Sequence, residues 1–175
     1  CGAPPGTGSL HHQPQLANTL ELIGRQGRDG FYTGPVAEDL VTCLRGLGGL
    51  HSMDDFAAAG GEYVTPISID YGGHGVFECP PNGQGVTALE MLNILERFDV
   101  ASMGNNSTEA VHLMAEVKKL TFADREYIGD PAWVQVPEAE LLSKGYAAQR
   151  AGLIDMSRAN TEVAGGLGMP NPAGH

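Results

Sequence analysis

The stretch Cys-Pro-Pro-Asn-Gly-Gln-Gly-Val-Thr-Ala-Leu, residues 79–89, concentrates side chains and backbone that could hold a reacting group. It sits where a strand pattern gives way to a helix pattern. Backbone N–H groups at such a helix N-terminus can hold an anion or a carbonyl oxygen. Asn82 and Gln84 add amide donors, and Gly83 leaves the backbone open, so Asn82, Gly83 and Gln84 are the candidate substrate-binding residues. The alternative is a plain strand-to-helix turn in which the glycines only make the bend.

Other reactive residues form no complete set. Cys1, Cys43 and Cys79 are odd in number and widely spaced, which gives neither a disulfide framework nor zinc-ligand spacing; Cys43 and Cys79 are expected as buried reduced thiols. Cys1 could act as an N-terminal nucleophile, but the residues after it read as loop. His11-His12 has no nearby thiol or carboxylate and is expected at the surface, so no metal site is expected. Asp54-Asp55 and Glu138/Glu140 fall at helix starts, where carboxylates favour the positive end of the helix dipole. Asp124, Arg125 and Glu126 share one helix, where a local ion pair is expected. Nucleophile elbow, phosphate-binding loop and zinc-protease helix motifs are all missing from the sequence. No catalytic residue is therefore assigned within the chain, and no cofactor is called for.

The elements that would position these residues follow from periodicity. Residues 1–13 are Gly- and Pro-rich and read as a flexible lead-in. From Gln15, the spacing of Leu16, Leu20 and Ile23 predicts a helix that stops at Gly27. Val36, Leu40, Val41, Leu44 and Leu47 predict a second, stopped by Gly48-Gly49. Ser52 with Asp55 has capping-box spacing for a short third. Ile67, Ile69 and Tyr71, then Gly72-Gly73, then Val76 and Phe77 predict a β-hairpin, with Pro66 marking an edge strand. Val86, Leu89, Leu92 and Leu95 predict a helix closing near Phe98. Asn106 with Glu109 reads as a capping box for a longer helix to Tyr127, carrying Val111, Met114, Ala115 and Val117. A last helical segment is expected from Glu138 to Ile154. Residues 156–175 are too poor in large apolar groups to pack for themselves and read as a flexible linker.

Composition narrows the class. With 175 residues and 42% hydrophobic content, one compact unit is the default. A formal charge of −11, with no basic run longer than Lys118-Lys119, argues against a nucleic-acid partner. No apolar run is long enough for a membrane span. The fold class is α+β, mostly helical with a β-hairpin. Two strands alone are marginal, so the hairpin edge is expected to be completed from outside the chain.

The runs at residues 13–40, 48–58, 80–99 and 109–155 together resemble the C-terminal half of the large subunit of γ-glutamyltransferases, over residues 14–155 in one order. That family consists of N-terminal-nucleophile hydrolases with an αββα sandwich, made as a precursor that cleaves itself. The resemblance implies that residues 14–155 are the large-subunit region and residues 156–175 the linker preceding the cleavage site. The partner would be the small subunit, or downstream segment of the same precursor, carrying the threonine nucleophile. A terminal threonine supplies a hydroxyl nucleophile and, in its own α-amine, the base that activates it. The implied substrate is a small-molecule γ-glutamyl or related acyl amide, and the isolated chain is expected to be inactive. Where typical transferases have Pro-Pro-Ser-Ser-Gly, this chain has Pro81-Asn82-Gly83-Gln84-Gly85, which is more similar to the acylase-like branch. Two other readings stand beside it: a non-catalytic helical and hairpin binding module, and an N-terminal cysteine hydrolase using Cys1.

Overall fold

The computed structural model describes residues 4–168. The chain divides into two compact units, Cys1–Glu62 and Tyr63–His175, instead of the single unit expected from length. Cys1, and with it the N-terminal cysteine reading, lies outside the described residues.

The first unit is helical: α1 (Pro14–Gln26), α2 (Asp29–Tyr32), α3 (Pro35–Gly46) and α4 (Met53–Ala58). Proline opens α1 and α3, where a missing N–H costs nothing. Gly27, at φ +61°, ends α1 as the sequence predicts, but the next residues wind into α2, a turn that periodicity does not reveal. Gly30 is buried, and a Cβ there would stand 2.7 Å from the Leu22 carbonyl oxygen, so α1 and α2 need a glycine at that position to pack. The capping box of α4 is present in full: Asp55 N–H donates to Ser52 Oγ at 3.2 Å and Ser52 N–H donates to Asp55 Oδ2 at 2.7 Å. Arg28 Nε donates to the Ala59 carbonyl at 3.0 Å, closing α2 onto the end of α4. His11 and His12 are exposed as expected.

The second unit opens with a hairpin, β1 (Ile67–Tyr71) and β2 (His74–Glu78), paired antiparallel with Ile69 opposite Val76 and Tyr71 opposite His74. Gly72 and Gly73 both have positive φ, as a two-residue turn that follows the strand twist requires. Four helices follow: α5 (Gly85–Leu95), α6 (Thr108–Asp124), α7 (Glu138–Leu141) and α8 (Lys144–Ala151), with 3₁₀ turns at Val100–Met103 and Arg125–Tyr127. Helix α5 is the hub. Val86 and Leu89 join Ile67, Ile69, Leu141 and Tyr146 in one core cluster. Ile94 joins Leu113, Val117 and Ala147 in a second. Leu92 supports the first and Leu95 the second, so the predicted apolar stripe splits between two cores. Glu96 ties the hairpin turn to the helices: Gly72 N–H donates to its Oε1 at 2.8 Å, and Lys144 Nζ reaches its Oε2 at 2.5 Å. Those two contacts hold the Glu96 carboxyl below the usual range, the backbone N–H contributing most.

Several expectations are corrected. Helix α5 stops at Leu95, short of Phe98. Ser107, not Asn106, caps α6: its Oγ accepts from Ala110 N–H at 3.0 Å, while Asn106 occupies a left-handed turn at φ +54°. The apolar residues that α6 buries are Ala110, Leu113, Val117 and Leu120, whereas Val111 and Met114 are 55% and 54% exposed and Ala115 is exposed too. The segment from Glu138 breaks in two because Ser143 N-caps α8, accepting from Tyr146 N–H at 3.1 Å. Cys43 and Cys79 are free thiols as expected, but exposed and not buried.

Candidate functional site

Residues 79–84 carry the chain from β2 into α5. The turn is tight at its end: a Cβ on Gly85 would collide with the Cys79 carbonyl oxygen and with Glu78 Cβ, so the start of α5 must be glycine to pass. Gly83 differs. Its hypothetical Cβ would meet nothing closer than the Pro80 carbonyl oxygen at 3.9 Å, so packing does not demand glycine there. Asn82, Gly83 and Gln84 are all exposed. Gln84 takes the N-cap position of α5 without a side-chain capping bond, which leaves its amide free for an outside partner. The first turn of α5 also presents N–H groups that have no acceptor within the helix. The structure thus brings the three sequence-predicted residues together at one exposed corner.

Helices α5, α6 and α8 hold a polar cluster that sequence reasoning missed. Thr87, Glu90 and Asn93 recur at threes on the inner face of α5 and are all buried. Asp124 from α6 and Arg150 and Tyr146 from α8, also buried, lie near Glu90, while Asn93 Nδ2 donates to the Leu142 carbonyl at 2.8 Å. Arg150 Nε lies 2.9 Å from Asp124 Oδ2, an ion-pair contact whose angle falls short of a hydrogen bond. Asp124 therefore pairs across helices with Arg150, not with its neighbour Arg125, whose guanidinium stacks 4.9 Å from the Phe122 ring centroid. Burial and the adjacent Asp124 hold the Glu90 carboxyl well above the ordinary carboxylate range, which makes it a neutral acid at neutral pH. Burial and Asp124 raise the Tyr146 hydroxyl too. The signal in the sequence was Glu90 itself, a charge set among the apolar Val86, Leu89 and Ile94 of α5.

The same helices grip the segment after Asp155. Glu116 Oε2 accepts from Asn160 N–H at 3.2 Å while Lys119 Nζ donates to the Asn160 carbonyl at 2.9 Å, and Lys119 pairs with Glu116 Oε1 at 2.6 Å. Burial pushes the Glu116 carboxyl up, but Lys119 and the Asn160 N–H outweigh it and leave it lowered. Further on, Gly166 N–H donates to Asp124 Oδ1 at 2.7 Å and an Arg150 terminal nitrogen donates to the Ala164 carbonyl at 3.0 Å. Leu167 packs against the first core cluster. A segment with no core of its own therefore borrows one.

In the first unit, a cavity of about 420 Å³ is lined by Leu22, Phe31, Pro35 and Leu40 with Asn18 and Asp39. Thr19 lines it as well, and Thr19 Oγ1 is engaged locally, donating to the Gln15 carbonyl at 3.2 Å. Among the described residues no group of three or more metal-ligating side chains is found, and no helix is long and apolar enough to cross a membrane.

Over residues 1–173 the sequence matches the gamma-glutamyltranspeptidase family. It is 41% identical over 151 residues to the glutathione hydrolase-like YwrD proenzyme of Bacillus subtilis, covering 86% of this chain and 29% of that protein. It is 40% identical over 166 residues to the acylase ACY 1 proenzyme of a Pseudomonas species, covering 94% of this chain and 30% of that protein. Its fold is similar to the crystal structure of Helicobacter pylori gamma-glutamyltranspeptidase, with a TM-score of 0.79 and 30% identity, over 92% of this chain and 47% of that one. The chain spans less than a third of the length of these two curated relatives.

Proposed function

The chain belongs to the gamma-glutamyltranspeptidase family, and on that premise we propose that it is the large-subunit portion of a self-cleaving amide hydrolase or acyltransferase. In this reading the hairpin and helices are part of an αββα sandwich. The threonine nucleophile enters on a downstream segment of the same precursor. One observation carries the reading: most of this chain aligns with under a third of relatives described as proenzymes. Attack on an amide requires a nucleophile, a base and donors for the developing oxyanion, and a terminal threonine joined to this fold would bring the first two.

The exposed corner is the substrate-facing element of this chain. Asn82 and Gln84 offer free amides, and Gly83 lets a ligand approach the backbone at a position where packing does not ask for glycine. The Asn-Gly-Gln sequence favours acyl amides of the acylase-like branch, beside γ-glutamyl amides. The experiment compares the 175-residue chain with the same chain joined to a downstream segment beginning with threonine, each offered γ-glutamyl-p-nitroanilide and an acyl amide. The joined protein is expected to turn over and the chain alone to be inert. Turnover by the chain alone would overturn the proposal, and its loss in Cys1→Ser would move the nucleophile to Cys1.

A further inference from the structure

The segment after α8 is held at two points by charged pairs whose own partners lie in the helical core. At the outer point, both backbone groups of Asn160 are occupied, the N–H by Glu116 and the carbonyl by Lys119. At the inner point, the buried Asp124 and Arg150 do the same for Gly166 N–H and the Ala164 carbonyl, and Arg150 also donates to the Leu120 carbonyl at 2.9 Å. The fit between them is close. A Cβ on Gly165 would strike Tyr127, and one on Gly166 would strike Tyr146 and Arg150. Buried charges are costly unless fully partnered, and here backbone groups of residues 160–166 supply part of that partnering. The two pairs thus act as a clamp on that strap.

Resting on the proposed reading as a self-cleaving precursor, we propose that Glu116, Lys119, Asp124 and Arg150 are positioning residues for self-cleavage. They clamp residues 160–166 so that the chain beyond Gly166 is delivered to the cleavage site from a fixed point. The physical gain is in effective concentration. A scissile bond tethered from a rigid anchor explores less space than one tethered from Asp155, and doubling a free tether reduces closure by about threefold. The cleaved enzyme needs no such delivery, so the clamp should influence maturation and not turnover.

The test uses the precursor in which this chain is joined to its downstream segment, with Lys119→Met, Gly166→Ala and Asp124→Asn variants. Three quantities are followed: the rate of self-cleavage, tryptic cutting at the exposed Arg158 as a measure of strap docking, and turnover per cleaved molecule. Lys119→Met and Gly166→Ala are expected to raise cutting at Arg158 and slow self-cleavage by about threefold or more, with turnover per cleaved molecule unchanged. Asp124→Asn should show a larger effect of the same kind. Should that buried variant fail to fold, Lys119→Met, which alters only the partly exposed cation of the outer pair, decides the matter. Wild-type self-cleavage with loosened straps that mature at the normal rate would overturn the clamp while leaving the proposed function intact. A wild-type precursor that never cleaves would overturn both.

Discussion

Arg150 Nε stands 2.9 Å from Asp124 Oδ2 with both side chains sealed from solvent, and the remaining Asp124 oxygen accepts the Gly166 N–H. Removing one charge strands the other in a low-dielectric interior. Arg150→Met is expected to cost about 3–5 kcal/mol, and the double replacement Asp124→Leu with Arg150→Met considerably less than the sum of the two single changes. Urea titrations with matched slopes would check it. A double variant as damaged as that sum would show that the two side chains do not act as a pair.

Glu90 should make stability fall with rising pH. Its folded carboxyl is raised by burial and by Asp124, while the unfolded one ionises near the ordinary value of about 4.3. Above that value the unfolded chain releases a proton that the folded chain keeps, so folding binds more protons and weakens as pH increases, until the folded carboxyl itself ionises. Glu90→Gln removes this dependence while keeping the side chain's shape. Relative to wild type, the variant should gain up to about 1.4 kcal/mol per pH unit between the two pKa values. Paired thermal melts from pH 5 to 8, read as roughly spaced pH points, would contradict this by showing a constant difference.

Helix α6 offers a test of which face is buried. Leu113→Ala should cost about 2–5 kcal/mol, whereas Val111→Ala, at a position 55% exposed, should stay within about 0.5 kcal/mol. Ser107→Ala should cost about 1 kcal/mol through loss of the cap, and Asn106→Gly should be neutral or stabilising because φ there is +54°. Equal losses at positions 111 and 113 in a denaturant series would mean that the helix is rotated.

Local rules were legible in the sequence wherever one residue carried the signal. Gly27 and Gly48 stop helices, Ser52 and Asp55 box one, and Gly72-Gly73 turns the hairpin. What stayed hidden depended on contacts between distant segments. Asn106 and Ser107 are both good caps, and only the packing of Leu113 and Val117 chooses between them. Asp124 has a nearer cation in Arg125, yet the buried face of α6 turns it toward Arg150. The strap has no apolar pattern to read, because its order comes from charged side chains on α6 and α8. The corner at Asn82 was found from its residue types and from the switch of strand to helix pattern around it, since Pro, Gly and amide residues announce a turn whether or not a ligand visits it.

The two glycines of that corner separate folding from function. Gly85→Ala pushes a methyl into the Cys79 carbonyl, a backbone atom that cannot swing aside, and should destabilise the second unit by about 1–3 kcal/mol. Gly83→Ala meets no neighbour within 3.9 Å and needs no positive φ, so it should leave the melting temperature within a degree or so of wild type. If the corner faces substrate, the added methyl crowds the approach of the acyl group and KM rises in the complete, self-cleaved enzyme. Asn82→Ala and Gln84→Ala should raise KM as well, each by about fivefold to tenfold, the equivalent of one lost hydrogen bond. Kinetics on folded, fully cleaved protein would decide the issue: unchanged KM in all three variants would reduce Asn82, Gly83 and Gln84 to a turn, with Gly85 its one indispensable residue.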